Sequence, residues 1–266
     1  MKFVKLSAAG NDFILFDNRK ETLTGKEKNF FRQICQRRRA VGADGVILLE
    51  ESSIADFKYR HFNSDGSPAE MCGNGARAVC LYAASKDIVP SHHTFEIMGV
   101  VHQAWVSGKE IKLRMPSPTK IETSLSIVAE EGMEEGGFIV LGVPHLVIFV
   151  NKLADVDVSH LGRKYWAHPR FTSRTNVNFV QVCKSSTIHV RTYERGVEEE
   201  TFSCGTGAAS SAILSHIAKG LNPPVKVQTQ GGVLRVNWDD FRQAVCLSGG
   251  AKIVYEGELI TPGSQS

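Results

Sequence analysis

The sequence predicts an α+β fold made of two homologous halves, each an antiparallel or mixed sheet wrapped around a helix. Two observations carry this prediction. A Cys-Gly-x-Gly motif followed by Ala-rich sequence with helical spacing occurs at 72–75 and again at 204–207. Short strand-like segments outnumber helical ones, and the regular strand–helix alternation of a parallel sheet is absent. At 266 residues the chain can hold two domains of about 130 residues, each with its own core.

The two halves match in order, residue type and spacing. In each half a turn leads into an apolar strand, an alternating strand follows, and a polar loop then precedes the Cys-Gly-x-Gly motif. The matching segments are 9–18 with 143–151, 41–50 with 174–182, and 57–88 with 188–220. Asp44 lies 28 residues before Cys72, and Asn176 lies 28 residues before Cys204. Two unrelated segments sharing a Gly-rich turn would not reproduce these spacings, so we interpret the chain as a duplication.

Three segments have helical spacing. The strongest two, at about 73–86 and 205–219, begin directly after the motif cysteines, and a third lies near 26–39. The segment "RMPSPTK" at 114–120 contains two prolines, which interrupt both helices and strands. It is the best candidate for a linker between the halves.

The composition is typical of a globular protein. Apolar residues make up 42% and charged residues 22% of the chain, and its formal net charge is +3. The one dense basic cluster, "QRRRA" at 36–40, is interpreted as the solvated face of a helix. No segment reaches the ~20 apolar residues that a membrane span needs, and Lys5 interrupts the apolar run that a secretory signal requires. We therefore expect a cytoplasmic protein with neither a nucleic-acid nor a membrane partner.

The six cysteines are predicted to be free thiols that hold no metal. They form no Cys-x-x-Cys pair and no Cys/His pattern with zinc-ligand spacing. Four of them are expected to be small buried side chains, namely Cys35, Cys80, Cys183 and Cys246. Cys72 and Cys204 differ, because each stands at the start of a duplicated helix.

A helix tip beside a cysteine favours acid–base chemistry. The first N–H groups of a helix have no partner within it and lie at the positive end of its dipole, so the tip binds anions. The glycines let a carboxylate approach the backbone, and the same field favours thiolate over thiol. Two such tips facing each other would hold one carboxylate and place a cysteine on either face of the adjacent carbon. This arrangement suits removal of a proton from one face and its return to the other.

Other chemistries fit the pattern less well. A cysteine hydrolase needs one nucleophile with a histidine, whereas the duplication supplies two equivalent cysteines. Catalytic redox pairs usually form Cys-x-x-Cys on one element. The sequences "GNGAR" and "GTGAA" lack the Lys-Ser/Thr ending of a nucleotide P-loop and do not fit the dinucleotide fingerprint. These two segments therefore predict neither a nucleotide nor a dinucleotide site.

Five segments together resemble the diaminopimelate epimerases, a family of cofactor-independent amino-acid epimerases. They are "KLSAAGNDF", "FNSDGSPAEMCGNGARA", "GVPH", "RTNVNFV" and "YERGVEEETFSCGTGAA", in the family's order and over essentially the whole chain. The resemblance implies two pseudo-symmetric domains, each with strands curled round a central helix, and an active site in the cleft between them. It implies domains at 1–115 with a C-terminal strand at about 250–266, and at 116–249. It also implies a homodimer that converts LL- to meso-diaminopimelate.

The resemblance assigns roles to individual residues. Cys72 and Cys204 would be the acid–base pair, exchanging thiolate and thiol with the direction of reaction. His145 and Glu194 would help to set the cysteines' protonation or contact the ammonium group, and the planar fork of Arg195 would bind the distal carboxylate. The substrate-binding residues implied are Asn11, Asn63, Gly73, Asn74, Asn176, Glu194, Arg195, Gly205 and Thr206. Taken alone, each loop asparagine is interpreted as a turn residue bonded to its own backbone.

Three departures from the family pattern concern recognition of the distal end of the substrate. Val143 in "GVPH" stands where many members carry an asparagine, and Gly45 stands where some have a glutamine. The segment "SAAGND" replaces the commoner His-Gly-x-Gly, although Asn11 remains.

Two alternatives stay open. One is a cofactor-independent racemase for another amino acid on the same fold, of the proline or histidine type. The other is an inactive protein that binds a zwitterionic ligand. The Glu194-Arg195 pair and the asparagines favour a substrate with a second zwitterionic end, and the presence of both cysteines favours an enzyme.

Overall fold

The chain forms two compact units. The computed structural model describes residues 1–125 and 133–260. The first unit contains Met1–Leu113 and the chain from Gly249 onward, and the second contains Arg114–Ser248. Of the strand expected at about 250–266, residues 261–266 lie outside the described residues.

The first unit combines short strands with two helices. Its elements are β1 (Lys2–Ala8), β2 (Asn11–Asp17), α1 (Lys28–Ile34), β3 (Gly45–Glu50), β4 (Phe57–Asn63), β5 (Pro68–Ala69), α2 (Gly73–Ser85), β6 (His92–Ile97), β7 (Val100–Ser107) and β8 (Glu110–Met115).

The second unit has one additional strand at its start and then the same succession of elements. They are β9 (Lys120–Leu125), β10 (Met133–Leu141), β11 (Val143–Val150), α3 (Val158–Trp166), β12 (Asn176–Val182), β13 (Thr187–Glu194), β14 (Glu199–Thr201), α4 (Gly205–Lys219), β15 (Val225–Thr229), β16 (Gly232–Asn237) and β17 (Val245–Gly250). The last strand, β18 (Lys252–Glu258), pairs antiparallel with β1 of the first unit.

The strand pairing of the first unit is repeated in the second. The pairs β1–β2 and β3–β4 are antiparallel, and the pairs β2–β3 and β4–β6 are parallel. The corresponding pairs β10–β11, β12–β13, β11–β12 and β13–β15 run in the same respective directions. The strand pairing within each unit is therefore mixed, and the predicted α+β class and the predicted repeat of elements are confirmed.

The helices that follow the motif cysteines are the centres of their units. In α2 every side chain from Asn74 to Ala83 is buried, and the helix packs against β1, β2, β3 and β7. Helix α4 packs in the same way against β10, β11, β12 and β13. Alanine combines high helix propensity with a small side chain, so an Ala-rich helix allows strands to surround it closely.

The helix prediction near 26–39 is correct only in part. Helix α1 ends at Ile34, and the chain continues in turns in which Arg38 has a left-handed φ of 69° that an α-helix does not allow. The basic cluster at 36–40 is exposed, as expected, but it lies in these turns and not on a helix face.

The sequence pattern did not predict helix α3, which the structure contains. Its signal is the N-cap residue Asp157, whose side chain accepts a hydrogen bond from the His160 N–H at 3.0 Å. The helix then buries Val158, Gly162 and Tyr165. It has only 9 residues, and this short length weakens the periodicity in the sequence.

The prediction for the four structural cysteines is wrong for two of them. Cys35 and Cys80 are buried, but Cys183 and Cys246 are only half-buried. Cys183 follows the end of β12, and Cys246 lies on a strand whose alternate residues are half-buried. Within the described part of the chain, no helix is long and apolar enough to cross a membrane.

Candidate active site

Cys72 is the N-cap of α2. Its backbone is extended, with φ −109° and ψ 116°, and its carbonyl accepts the Ala76 N–H at 2.8 Å. Gly73 and Asn74 therefore occupy the first turn, where N–H groups have no partner within the helix and lie at its positive end. The half-buried Cys72 side chain stands at this tip.

A chain of hydrogen bonds fixes two amide side chains of the first unit. Arg77 Nη2 donates to Asn74 Oδ1 at 2.5 Å, and Asn74 Nδ2 donates to Asn11 Oδ1 at 2.7 Å. Asn11 Nδ2 in turn donates to Asp44 Oδ2 at 3.1 Å. A guanidinium only donates and a carboxylate only accepts, so the two ends of the chain determine the orientation of both amides.

Asp44 belongs to a cluster of charges at the start of β2. Arg37 Nη2 lies 2.7 Å from Asp44 Oδ1 and 2.6 Å from Asp12 Oδ1. Lys5 Nζ lies 2.7 Å from Asp12 Oδ2. Burial by itself raises the pKa of Asp12, but the hydrogen bonds and charges of Arg37 and Lys5 lower it to about 2. The cluster thus keeps Asp12 ionised and holds the Asp44 carboxylate against Asn11.

Asn63 lies apart from this chain of hydrogen bonds. Its side chain is exposed, and its Nδ2 donates to Ser67 Oγ at 3.1 Å. Its carbonyl accepts the Gly66 N–H at 2.9 Å. The turn interpretation therefore describes the contacts of Asn63 in this structure.

Cys204 is the N-cap of α4, with nearly the same backbone conformation as Cys72 at φ −111° and ψ 118°. Its Sγ accepts the Gly207 N–H at 3.4 Å and lies 3.5 Å from Thr206 Oγ1. A Cβ on Gly207 would lie 2.4 Å from Asn178 Oδ1 and 3.3 Å from Cys204 Sγ. The last glycine of this motif is therefore required for close packing at the thiol.

His145 on β11 is fully buried and neutral. Asn178 Oδ1 accepts a hydrogen bond from Thr192 Oγ1 at 2.9 Å, so Asn178 Nδ2 is a donor, and it lies 3.3 Å from His145 Nδ1. His145 Nδ1 is thus the acceptor, and Nε2 carries the proton. Burial and, secondly, the charge of Arg195 lower the pKa of His145 to about 3. Its Nε2 has no hydrogen-bond partner among the described protein atoms.

Asn176 joins two strands beside His145. It is the residue of β12 paired with His145, and its Nδ2 donates to the Pro144 carbonyl at 3.1 Å. Its Oδ1 accepts the backbone N–H of Arg195 at 2.9 Å. The half-buried Arg195 side chain donates through Nη1 to the Ser173 carbonyl at 3.4 Å.

Glu194, at the end of β13, is half-buried. Burial raises the pKa of Glu194, although a hydrogen bond from Thr201 Oγ1 to Oε2 at 2.6 Å lowers it in part. The group therefore binds a proton more readily than an exposed glutamate does.

Comparison with known proteins decides the family. The diaminopimelate epimerase family profile matches residues 3–119 and 137–254. A diaminopimelate epimerase of Aquifex aeolicus is 42% identical over 97% of this chain and 98% of its own length. A diaminopimelate epimerase of Chlorobaculum tepidum is 36% identical over 96% of this chain and 99% of its own length. This chain belongs to the diaminopimelate epimerase family.

Solved structures of proteins with other names have the same fold as this chain. A PhzF-family phenazine biosynthesis protein of Bacillus anthracis has a TM-score of 0.74 at 15% identity, covering 98% of this chain and 99% of that one. A hydroxyproline epimerase of Agrobacterium vitis has a TM-score of 0.65 at 13% identity, covering 97% and 91%. These two proteins share the fold with the diaminopimelate epimerase family, and at such low identity they indicate no more than that.

One departure from the diaminopimelate epimerase pattern has a steric reason. A Cβ on Gly45 would lie 2.5 Å from the Phe62 carbonyl oxygen and 2.8 Å from His61 Nε2. No larger side chain fits there without movement of β4. Val143 is half-buried at the start of β11, and its side chain offers no hydrogen bond.

The sequence reasoning missed four residues that hold the site residues in place. They are Asp44, Arg77, Asn178 and Thr201. Asn178 could have been found, because it lies two residues after Asn176 on the same face of a strand. Arg77 could have been found as a charged residue inside an otherwise apolar helix. Among the described residues no group of His, Cys, Asp and Glu side chains could hold a metal ion.

Proposed function

We propose that this chain interconverts LL- and meso-diaminopimelate by acid–base catalysis through Cys72 and Cys204, without a cofactor. The observation that carries the proposal is the equivalence of the two cysteines. Each is the N-cap of the central helix of its unit, and their φ and ψ angles agree within a few degrees. Two cysteines with the same backbone conformation suit an epimerisation, because the forward and reverse reactions each need one thiolate and one thiol.

The helix tips supply the anion site. Backbone N–H groups of Gly73 and Asn74, and of Gly205 and Thr206, would donate to the α-carboxylate of the substrate. When the α-proton leaves, negative charge spreads from the carbon onto that carboxylate. Donors already oriented towards the carboxylate stabilise the charge as it develops, so they lower the barrier to proton removal.

The proton transfer uses one thiolate and one thiol. The thiolate takes the α-proton from one face of the carbon, and the thiol of the other cysteine gives its proton to the opposite face. The configuration inverts, and the two cysteines end with their protonation states exchanged. The mechanism requires both thiols to reach the same α-carbon.

His145 and Glu194 would assist through hydrogen bonds, because burial shifts the pKa of each. His145 is neutral at working pH and offers an N–H donor at Nε2. Burial raises the pKa of Glu194, so this carboxyl group holds a proton more readily than an exposed one does. Either group can thereby adjust the hydrogen bonds of a cysteine or of the substrate ammonium.

The distal end of the substrate would be held by the remaining polar residues. Arg195 would bind the distal carboxylate with two N–H groups at once. Asn11 and Asn176 each retain a second amide N–H beyond the bond described above, and Asn63 is accessible in its turn. We also propose a homodimer and a cytoplasmic location, which accord with the family.

Deuterium incorporation tests the proposal directly. LL-diaminopimelate in deuterated water should yield meso-diaminopimelate with one deuterium at the inverted α-carbon, without added cofactor. Because each cysteine is essential, Cys72→Ala and Cys204→Ala should each lower kcat by at least about 100-fold. Full activity of either alanine variant would contradict the two-thiol mechanism.

A panel of amino-acid substrates distinguishes the proposed function from the two alternatives. Faster turnover of proline or histidine than of diaminopimelate would retain the chemistry and overturn the substrate. Tight binding of diaminopimelate with no deuterium exchange would indicate a binding protein.

A further inference from the structure

Arg77 is an unusual residue for the interior of this fold. It is 0% exposed and is the largest of the fully buried side chains in the described part of the chain. Its Nη2 donates to Asn74 Oδ1 at 2.5 Å, but Nε and Nη1 have no hydrogen-bond partner among the described protein atoms. It takes part in no ion pair within the described part of the chain. A buried guanidinium without a carboxylate is unfavourable for stability, so its presence calls for another role.

The duplication provides an internal comparison for this residue. Arg77 lies five residues after Cys72 in "CGNGAR", and the corresponding residue after Cys204 in "CGTGAA" is Ala209. Both residues are buried in their helices, and the two cysteines share one backbone conformation. The two helix tips therefore share one backbone conformation, and the first has a buried positive charge at the position where the second has Ala209.

The charge of Arg77 acts on Cys72. Burial lowers the pKa of Arg77 to about 10, while the negative charge of an ionised Cys72 raises it, so the guanidinium stays protonated at neutral pH. The attraction is mutual, and the same charge favours the thiolate form of Cys72.

Tyr59 on β4 interacts with Cys72 and also with Cys80, which lies further along α2. Tyr59 on β4 and Cys80 on α2 are fully buried, and burial raises the pKa of each well above its usual value, so both are neutral. Arg77 is thus the charged member among these neighbours. Through Asn74 it also orients the amide chain that ends at Asp44.

We propose that Arg77 is a positioning residue that makes the two tips unequal, so that Cys72 carries the thiolate and Cys204 the thiol in the enzyme without substrate. The inference rests on the proposed role of both cysteines as acid–base groups. Thr206 Oγ1 and the Gly207 N–H contact Cys204 Sγ, but both are neutral and give a weaker preference for the thiolate.

The test is the pH dependence of alkylation at each cysteine. Iodoacetamide reacts with thiolates, and mass spectrometry of the Cys72 and Cys204 peptides gives a rate for each site from pH 5 to 10. Each rate is normalised to its own high-pH plateau, which removes the difference in exposure between the two thiols. In the native enzyme without substrate we expect the midpoint for Cys72 to lie at least about one pH unit below that for Cys204.

Substitutions at Arg77 identify the cause. Arg77→Met should raise the Cys72 midpoint by about one pH unit or more and leave that of Cys204 unchanged. Arg77→Lys, which keeps a charge, should restore part of the shift. The matched control is Arg60→Met, which removes another arginine of the first unit, one that is paired with Glu50 instead.

The outcomes decide between roles. Equal midpoints in the native enzyme, or a lower one for Cys204, would overturn the proposal even if the Arg77→Met protein did not fold. A folded Arg77→Met protein with an unchanged Cys72 midpoint would leave Arg77 a structural residue only. The measurement uses no substrate, so an error in the proposed substrate would not alter these midpoints.

Discussion

The last glycines of the two motifs differ in what surrounds them. A Cβ on Gly75 would meet its nearest neighbour, Ile47 Cδ1, at 3.5 Å, an ordinary contact, whereas a Cβ on Gly207 would lie 2.4 Å from Asn178 Oδ1. Gly207→Ala should therefore lower the free energy of unfolding by about 1–3 kcal/mol. Gly75→Ala should leave it unchanged or raise it by up to about 1 kcal/mol, because alanine favours a helix. Urea denaturation of both variants measures the difference, and equal effects would contradict the close packing of Asn178 against α4.

Buried histidines should make the protein sensitive to acid. The pKa of His145 falls from 6.5 to about 3 in the folded chain, and that of His61 falls to about 4, in both cases because of burial. Below pH 6.5 the unfolded chain therefore binds more protons than the folded one, and stability falls as the pH falls towards these folded values. Each such histidine contributes a slope of up to about 1.4 kcal/mol per pH unit.

His145→Gln tests this slope. Between pH 6.5 and 4.5 the free energy of unfolding of the variant should depend on pH less steeply than that of the native protein, by one histidine's share. His61→Gln should have an effect of similar size, and the two should add in the double variant, since they lie in different units. An unchanged slope in His145→Gln would mean that the pKa of His145 is the same in the folded and unfolded chains.

Elements with repeated or strongly periodic sequence could be predicted. Helices α2 and α4 begin where the motif cysteines indicate, because a glycine-rich tip followed by alanines at helical spacing is a local signal. The parallel pairing of β2 with β3 could not be predicted, since strand partners depend on contacts distant in sequence. The residues of the candidate site also fall into those that the sequence predicts and those that it does not. The cysteines stand in a motif, whereas the pairing of Asn11 with Asn74 depends on how β2 packs beside α2.

The start of α3 offers a test of a local signal that periodicity does not reveal. Asp157 caps the helix through the His160 N–H, whereas the nearby Asp155 forms an exposed ion pair with Lys152 at 2.9 Å. Asp157→Ala should lower the free energy of unfolding by about 1 kcal/mol. Asp155→Ala should lower it by less than about 0.5 kcal/mol, because exposed ion pairs contribute little. A similar loss in both variants, measured by urea denaturation, would contradict the capping role.

The two units of the molecule repeat the same secondary structure but carry different polar side chains. Strand directions, central helices and the backbone at both cysteines are repeated, but the polar groups are not. The first unit has the Arg77–Asn74–Asn11 chain, and the second has the buried His145–Asn178 pair. The repeated secondary structure suits the reaction at two faces of one carbon that we propose, and the unequal polar groups suit the proposed difference in protonation between the two thiols.

Oxidation tests whether the two thiols can act at one carbon. A disulfide requires Cα atoms within about 7 Å, so thiols that flank one carbon must approach only a little further to cross-link. Mild oxidation without substrate should abolish activity and yield one intramolecular disulfide between Cys72 and Cys204, and dithiothreitol should restore activity. A Cys183→Ser/Cys246→Ser variant controls for the other two half-buried thiols and should respond in the same way. Inactivation that maps to Cys183 or Cys246, or that dithiothreitol does not reverse, would contradict a shared site. Protection by meso-diaminopimelate should accompany the cross-link, because a bound substrate would separate the sulfur atoms.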